Sequence, residues 1–136
     1  MVETVGKARP LSPHVQIWRW HVTMTASILH RVTGLFLYLG LLVLAGWALA
    51  LAEGRGAFDA YAALLKSAPG LALLFLVTLS GFFHLANGIR RLAWDLGFGF
   101  KLKTANATAL IALLFGLAAT ITFWWRLSAF GVFAHG

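Results

Sequence analysis

Three stretches of the chain, 32–52, 67–89 and 104–125, carry no formal charge over 21, 23 and 22 residues. About 20 mostly apolar residues cross the hydrocarbon of a bilayer as a helix, so each stretch predicts one span. With flanking helix-compatible residues added, the spans fall near 24–52, 68–94 and 104–128. Two short connectors, 53–66 and 90–103, join them. No segment alternates apolar and polar residues as a half-buried strand would. The expected fold is an all-α membrane protein: one domain over 1–136, three transmembrane helices in a bundle, and an N-terminal segment on the cytoplasmic surface.

Composition supports this class. Of 136 residues, 60% are hydrophobic and 11% charged, against about 25% charged in an ordinary soluble domain. No polar region is long enough to fold separately in water. The formal charge of +7 reads as a topology signal. Lys7, Arg9, Arg19 and Arg31 precede or open the first span, and Arg90, Arg91, Lys101 and Lys103 lie between the second and third. The opposite side has only Arg55, Lys66 and Arg126. Lysine and arginine concentrate on the cytoplasmic side of membrane proteins, which predicts a cytoplasmic N-terminus. These cations flank spans and form no soluble patch, so a nucleic-acid partner is not expected.

Pro10 and Pro13 stand where a signal peptide would have its apolar core, and the stretch is not an Arg- and Ser-rich transit peptide. A bacterial inner membrane is therefore favoured over the mitochondrial one. Trp18 and Trp20 suit the headgroup layer, where an amphipathic ring is wet at one end and dry at the other. The chain has no cysteine. That excludes an iron–sulfur cluster, covalently attached haem and a disulfide within this chain, leaving histidine or methionine to hold any redox cofactor.

Polar residues run up to the first span. Ser27, His30 and Arg31 sit at offsets 0, +3 and +4, one face of a helix. Polar groups there are costly unless they meet protein, water or a ligand. A hydroxyl and a guanidinium both donate hydrogen bonds and suit a carbonyl compound; capping and interfacial anchoring is the plainer account of the same residues. His84 lies inside the second span, about 9 Å before Arg90 at 1.5 Å per residue, with Gly81 and Gly88 one turn away on either side. Glycines leave a surface that a flat macrocycle can approach, and neutral imidazole ligates b-type haem. A histidine hydrogen-bonded across a helix interface, with glycines allowing close packing, explains the residues equally well. No second histidine is expected at the depth of His84, so a six-coordinate haem there would take its other ligand from another subunit. Arg90, Arg91 and Asp95 read first as a charged helix end among headgroups, Arg91 most clearly.

The motifs R-P-L-S-P-H-x-x-I at 9–17, S-I-L-H-R-x-T-G at 27–34 and H-x-x-x-G-I-R at 84–90, followed by Trp94–Asp95, resemble the cytochrome b membrane-anchor subunit of succinate dehydrogenase (respiratory complex II). The resemblance covers nearly the whole chain in order and spacing. It implies a subunit that shares haem b with a second hydrophobic anchor subunit, contributes to a ubiquinone site, and docks the iron–sulfur and flavoprotein subunits. It implies His84 as the axial haem ligand, and so as ligand to the haem iron, His30 and Arg31 near the haem propionates, and Ser27 with Arg31 at the quinone. Many members have histidine where Arg91 stands, so no haem role is carried over to Arg91. Trp18 replaces a tyrosine common in the family, and beyond Asn106 the likeness is in hydropathy alone.

On that resemblance the chain has little bond chemistry of its own, for it has no acid pair, nucleophile–base pair or phosphate loop. Arg31 would hold the quinone oxygen as charge develops, and Ser27 would orient the carbonyl. Two other readings stay beside it: the anchor of a quinol:fumarate reductase, and a non-redox structural or transport subunit. The spans contain no Asp or Glu, which counts against a proton or cation path.

Overall fold

A computed structural model describes residues 13–131. The elements are α1 (His14–Ile17), α2 (Val22–Glu53), α3 (Arg55–Lys66), α4 (Ala68–Asp95) and α5 (Leu102–Ala129). Among the described residues there is no strand. α2, α4 and α5 are each long and apolar enough to cross a membrane, so the all-α, three-span architecture expected from the charge-free runs is the one observed. Residues 9–12 of the first motif and His135 lie outside the described residues.

The helices overrun the spans. α2 has 32 residues and α4 and α5 have 28 each, or about 48 and 42 Å at 1.5 Å per residue, against roughly 30 Å of hydrocarbon. The surplus in α2 is its polar N-terminal part, so Thr23, Thr25, Ser27, His30 and Arg31 are all helical. Trp20 packs edge-on against Trp18, with centroids 5.8 Å apart, and its Nε1 donates to Thr25 Oγ1 at 2.6 Å.

The first connector, 53–66, is mostly helical. The chain breaks only at Gly54, whose φ of +106° is in the region that favours glycine. It then forms the 12-residue α3. This helix folds back along α2, where the Tyr61 hydroxyl donates to the Val43 carbonyl at 2.8 Å. α4 starts cleanly because Ser67 caps it, its Oγ accepting from the Gly70 amide, with proline in the first turn.

α4 and α5 form the tightest pair. The buried positions of α5 are Ala105, Ala109, Ala112, Gly116 and Thr120, a small-residue stripe recurring every three or four residues. Lipid tails are as apolar as leucine, so helices in a membrane gain by close packing more than by hiding apolar surface. A Cβ added at Gly116 would stand 2.9 Å from the Phe83 Cα. Phe83 fills the centre with Ala26, Ala109 and Ala112 around it.

Arg90 joins the same pair. It is 7% exposed, and its guanidinium donates to Asn87 Oδ1 (3.2 Å), the Ala105 carbonyl (3.0 Å) and Thr108 Oγ1 (3.0 Å). Its Cζ lies 4.0 Å from the centroid of the Trp94 ring. This corrects the reading of Arg90 as a headgroup anchor. A buried cation persists only when its donors are met, and here they are met by α4 and α5.

Candidate functional site

The polar residues of α2 meet those of α4 where the two helices run past each other. His30 lies eight residues into α2, about 12 Å from its start, and His84 lies eleven residues before the end of α4, about 16 Å. The two rings stack face to face, with centroids 3.8 Å apart and planes at 17°. His84 therefore does have a neighbouring histidine at matching depth, contrary to the expectation from sequence. His30 lies near the start of the expected first span and reads as close to the surface, but the register between α2 and α4 brings it level with His84.

Three further residues of α2 complete the contact. Thr33 Oγ1 lies 3.2 Å from His84 Nδ1 and donates its own proton to the His30 carbonyl at 3.0 Å. A Cβ placed on Gly34 would sit 3.5 Å from His84 Cε1, so the ring rests almost on the α2 backbone. Ser27 Oγ accepts from Arg91 Nη2 at 3.3 Å. Arg91 thus turns to α2. Arg31 is exposed and makes no hydrogen bond or ion pair among the described residues. Ser27, His30, His84 and Arg91 are brought together; Arg31 stands at the rim.

Beside His84 the outer face of α4 forms an open groove of about 440 Å³, lined by His84, Leu85, Gly88, Ile89, Arg91 and Leu92. A Cβ on Gly88 would meet nothing within 4 Å, so the glycine leaves the groove floor free beside the imidazole. Gly81 faces α2 instead, its nearest neighbour being Leu37 at 3.9 Å from a built Cβ. Two polar atoms in this region, Nδ1 of His30 and Nε of Arg91, are buried with no hydrogen-bond partner among the described residues. Buried polar atoms are nearly always paired, and orphans beside a groove suit an acceptor supplied from outside the chain.

The groove suits a flat apolar ligand with acidic edges: aliphatic walls, a bare glycine floor, an imidazole at one side and a guanidinium at one end. The stacked rings of His30 and His84 leave no slot between them for a macrocycle, so the two cannot ligate opposite faces of one metal. Thr33 is the site residue that the sequence did not single out, although it lies one turn beyond His30 inside a motif already noted. Arg91 reads from the sequence as a headgroup anchor, and the family resemblance carries no haem role to an arginine there.

A three-span helical membrane protein with paired histidines where its first two spans meet, and an open groove beside one of them, is what the fold and site define. Residues 6–123 match the family described as succinate dehydrogenase/fumarate reductase transmembrane subunit, and the chain belongs to that family. The match runs beyond Asn106, where the likeness read from the sequence is in hydropathy alone. The chain is 36% identical over 124 residues to the succinate dehydrogenase cytochrome b556 subunit of Rickettsia felis, covering 90% of this chain and 95% of that one. It is 38% identical over 117 residues to the mitochondrial cytochrome b560 subunit of human succinate dehydrogenase, covering 82% and 68%. With the b556 subunit of Paracoccus denitrificans it shares 34% over 106 residues, covering 76% and 82%.

Proposed function

We propose that this chain is the cytochrome b anchor of a succinate:quinone oxidoreductase, holding haem b together with a second hydrophobic anchor subunit and forming part of a ubiquinone site. The observation that carries it is the groove beside His84, with Gly88 open and unpaired polar atoms of His30 and Arg91 nearby. The residues fit the cofactor. His84 is the axial ligand, and His30 and Arg31 receive the propionates, joined by Arg91. Arginine forks match carboxylates, and an imidazole ring nitrogen can donate to them. When bound, the haem supplies a one-electron redox centre within the membrane.

Ser27 and Arg31 hold the quinone carbonyl. Ser27 sits one turn before Arg31, and its hydroxyl is already oriented by Arg91. The chain docks the iron–sulfur and flavoprotein subunits at this end of the bundle, where electrons from succinate reach the quinone. The succinate dehydrogenase names of the relatives favour this direction over fumarate reduction. Its setting is a bacterial inner membrane with the N-terminus in the cytoplasm.

The purified complex, reduced minus oxidised, is expected to show the α band of a b-type haem in proportion to this subunit, and its absence would overturn the reading. A reporter fused after Gly136 is expected to be active only on the non-cytoplasmic side; cytoplasmic activity would reverse the topology.

A further inference from the structure

The contact between Thr33 and His84 has a chemical direction. A threonine hydroxyl has one proton and two acceptor lone pairs. Thr33 Oγ1 commits its proton to the His30 carbonyl at 3.0 Å, the backbone one turn behind it. Towards His84 Nδ1, 3.2 Å away, the same oxygen is left with lone pairs only. The hydrogen bond there runs from Nδ1–H to Thr33 Oγ1. An imidazole protonated on Nδ1 carries its free lone pair on Nε2, the nitrogen left to bind a metal. Were the hydroxyl to donate to Nδ1 instead, Nε2 would carry the proton and could not ligate.

The ring is fixed in the other directions as well. His30 covers one face at 3.8 Å between centroids, and the Gly34 backbone lies under Cε1. A ligating histidine usually has its second nitrogen tied in this way, which sets its tautomer and raises its basicity. Here the tie comes from another helix, so the helix bearing the ligand and the one orienting it are different.

We infer that Thr33 is a positioning residue for the haem. From α2, its hydroxyl holds His84 in the Nδ1–H tautomer and lends electron density to the ligating nitrogen. The inference rests on the reading of His84 as axial ligand. A more electron-rich imidazole favours the oxidised iron, so removing the acceptor raises the haem potential. Valine has nearly the shape of threonine and keeps a β-branched residue in the helix; serine keeps the hydroxyl.

The test is a redox titration of the haem in the assembled complex, with haem content measured alongside. Thr33→Val is expected to raise the reduced-to-oxidised ratio at a fixed ambient potential by about three- to tenfold, a tenfold change being about 59 mV for one electron. Thr33→Ser is expected to titrate close to the parent. A parental potential in Thr33→Val overturns the inference, and so does an equal shift in both variants, which would assign the effect to packing. A His84→Leu control separates the two claims. If it abolishes the haem band while Thr33→Val leaves the potential unchanged, only the role of Thr33 falls. If it leaves the band intact, the ligand reading falls and takes this inference with it.

Discussion

Replacing His84 with leucine is expected to remove the low-spin haem band from the assembled complex, or to convert it to a strongly perturbed spectrum. Leucine has no lone pair, and a six-coordinate b-type haem has no slack in its axial set. The structure adds a complication and its control. His30 stacks on His84 at 3.8 Å, so the single variant leaves an imidazole within reach of the vacated space. His30→Gln is expected to keep the parental low-spin band, because His30 contacts the ligand and does not replace it. A band that survives His84→Leu unchanged but disappears in His30→Gln would transfer the axial role to His30. Haem content is read with the spectrum, so loss of cofactor and change of ligand are told apart.

The second large effect is expected at the rim. Arg31→Leu is expected to slow succinate:quinone turnover roughly ten- to a hundredfold, from the ~1.5–3 kcal/mol carried by a charged hydrogen bond to a carbonyl. Reduction of a soluble dye that draws electrons from the flavin or clusters is expected to continue nearly unchanged. Ser27→Ala is expected to act in the same sense but more weakly, since a neutral hydroxyl contributes less than a guanidinium. Arg31 is exposed with no partner among the described residues, so its loss leaves no buried group stranded within this chain. If both activities fall together, Arg31 supports assembly or the haem. If neither falls, it is an interfacial anchor.

The spans were legible because lipid forbids charge over their length, and three charge-free runs admit few other readings. Their ends were legible once flanking residues were added: the expected 24–52, 68–94 and 104–128 agree with Val22–Glu53, Ala68–Asp95 and Leu102–Ala129 to within about two residues. A helix does not stop at the first charged residue, and α2 and α4 both continue through arginines. The register between neighbouring helices was not legible, so nothing in the sequence set His30 against His84, although the two rings touch. α3 was hidden by Glu53, Arg55, Asp59 and Lys66, which read as a connector, although 57–66 is composed mainly of good helix formers. Arg90 and Arg91 show what a motif cannot display. They are adjacent in sequence but about 100° apart around the helix, so one is taken up by α5 and the other by α2. Ser27, His30 and His84 could be singled out as costly polar residues in apolar surroundings. That Thr33 orients one of them depends on helix rotation, which hydropathy does not encode.

Of the three spans, α2 buries the fewest residues within its own chain. Of its 32 residues only Ala26, near one end, and Ala50, near the other, are buried, whereas α4 and α5 each bury five. The pair α4–α5 is locked by its small-residue stripe and by Arg90. α2 seats against it through Ala26 and through its polar contacts with His84 and Arg91. The hydroxyl that faces His84 is carried by α2 and not by the helix that bears the histidine. An orphan chain with α2 adrift would present an imidazole free to take either tautomer and to rotate. The orientation of one imidazole is thereby made contingent on the docking of two helices, not on the helix that carries it.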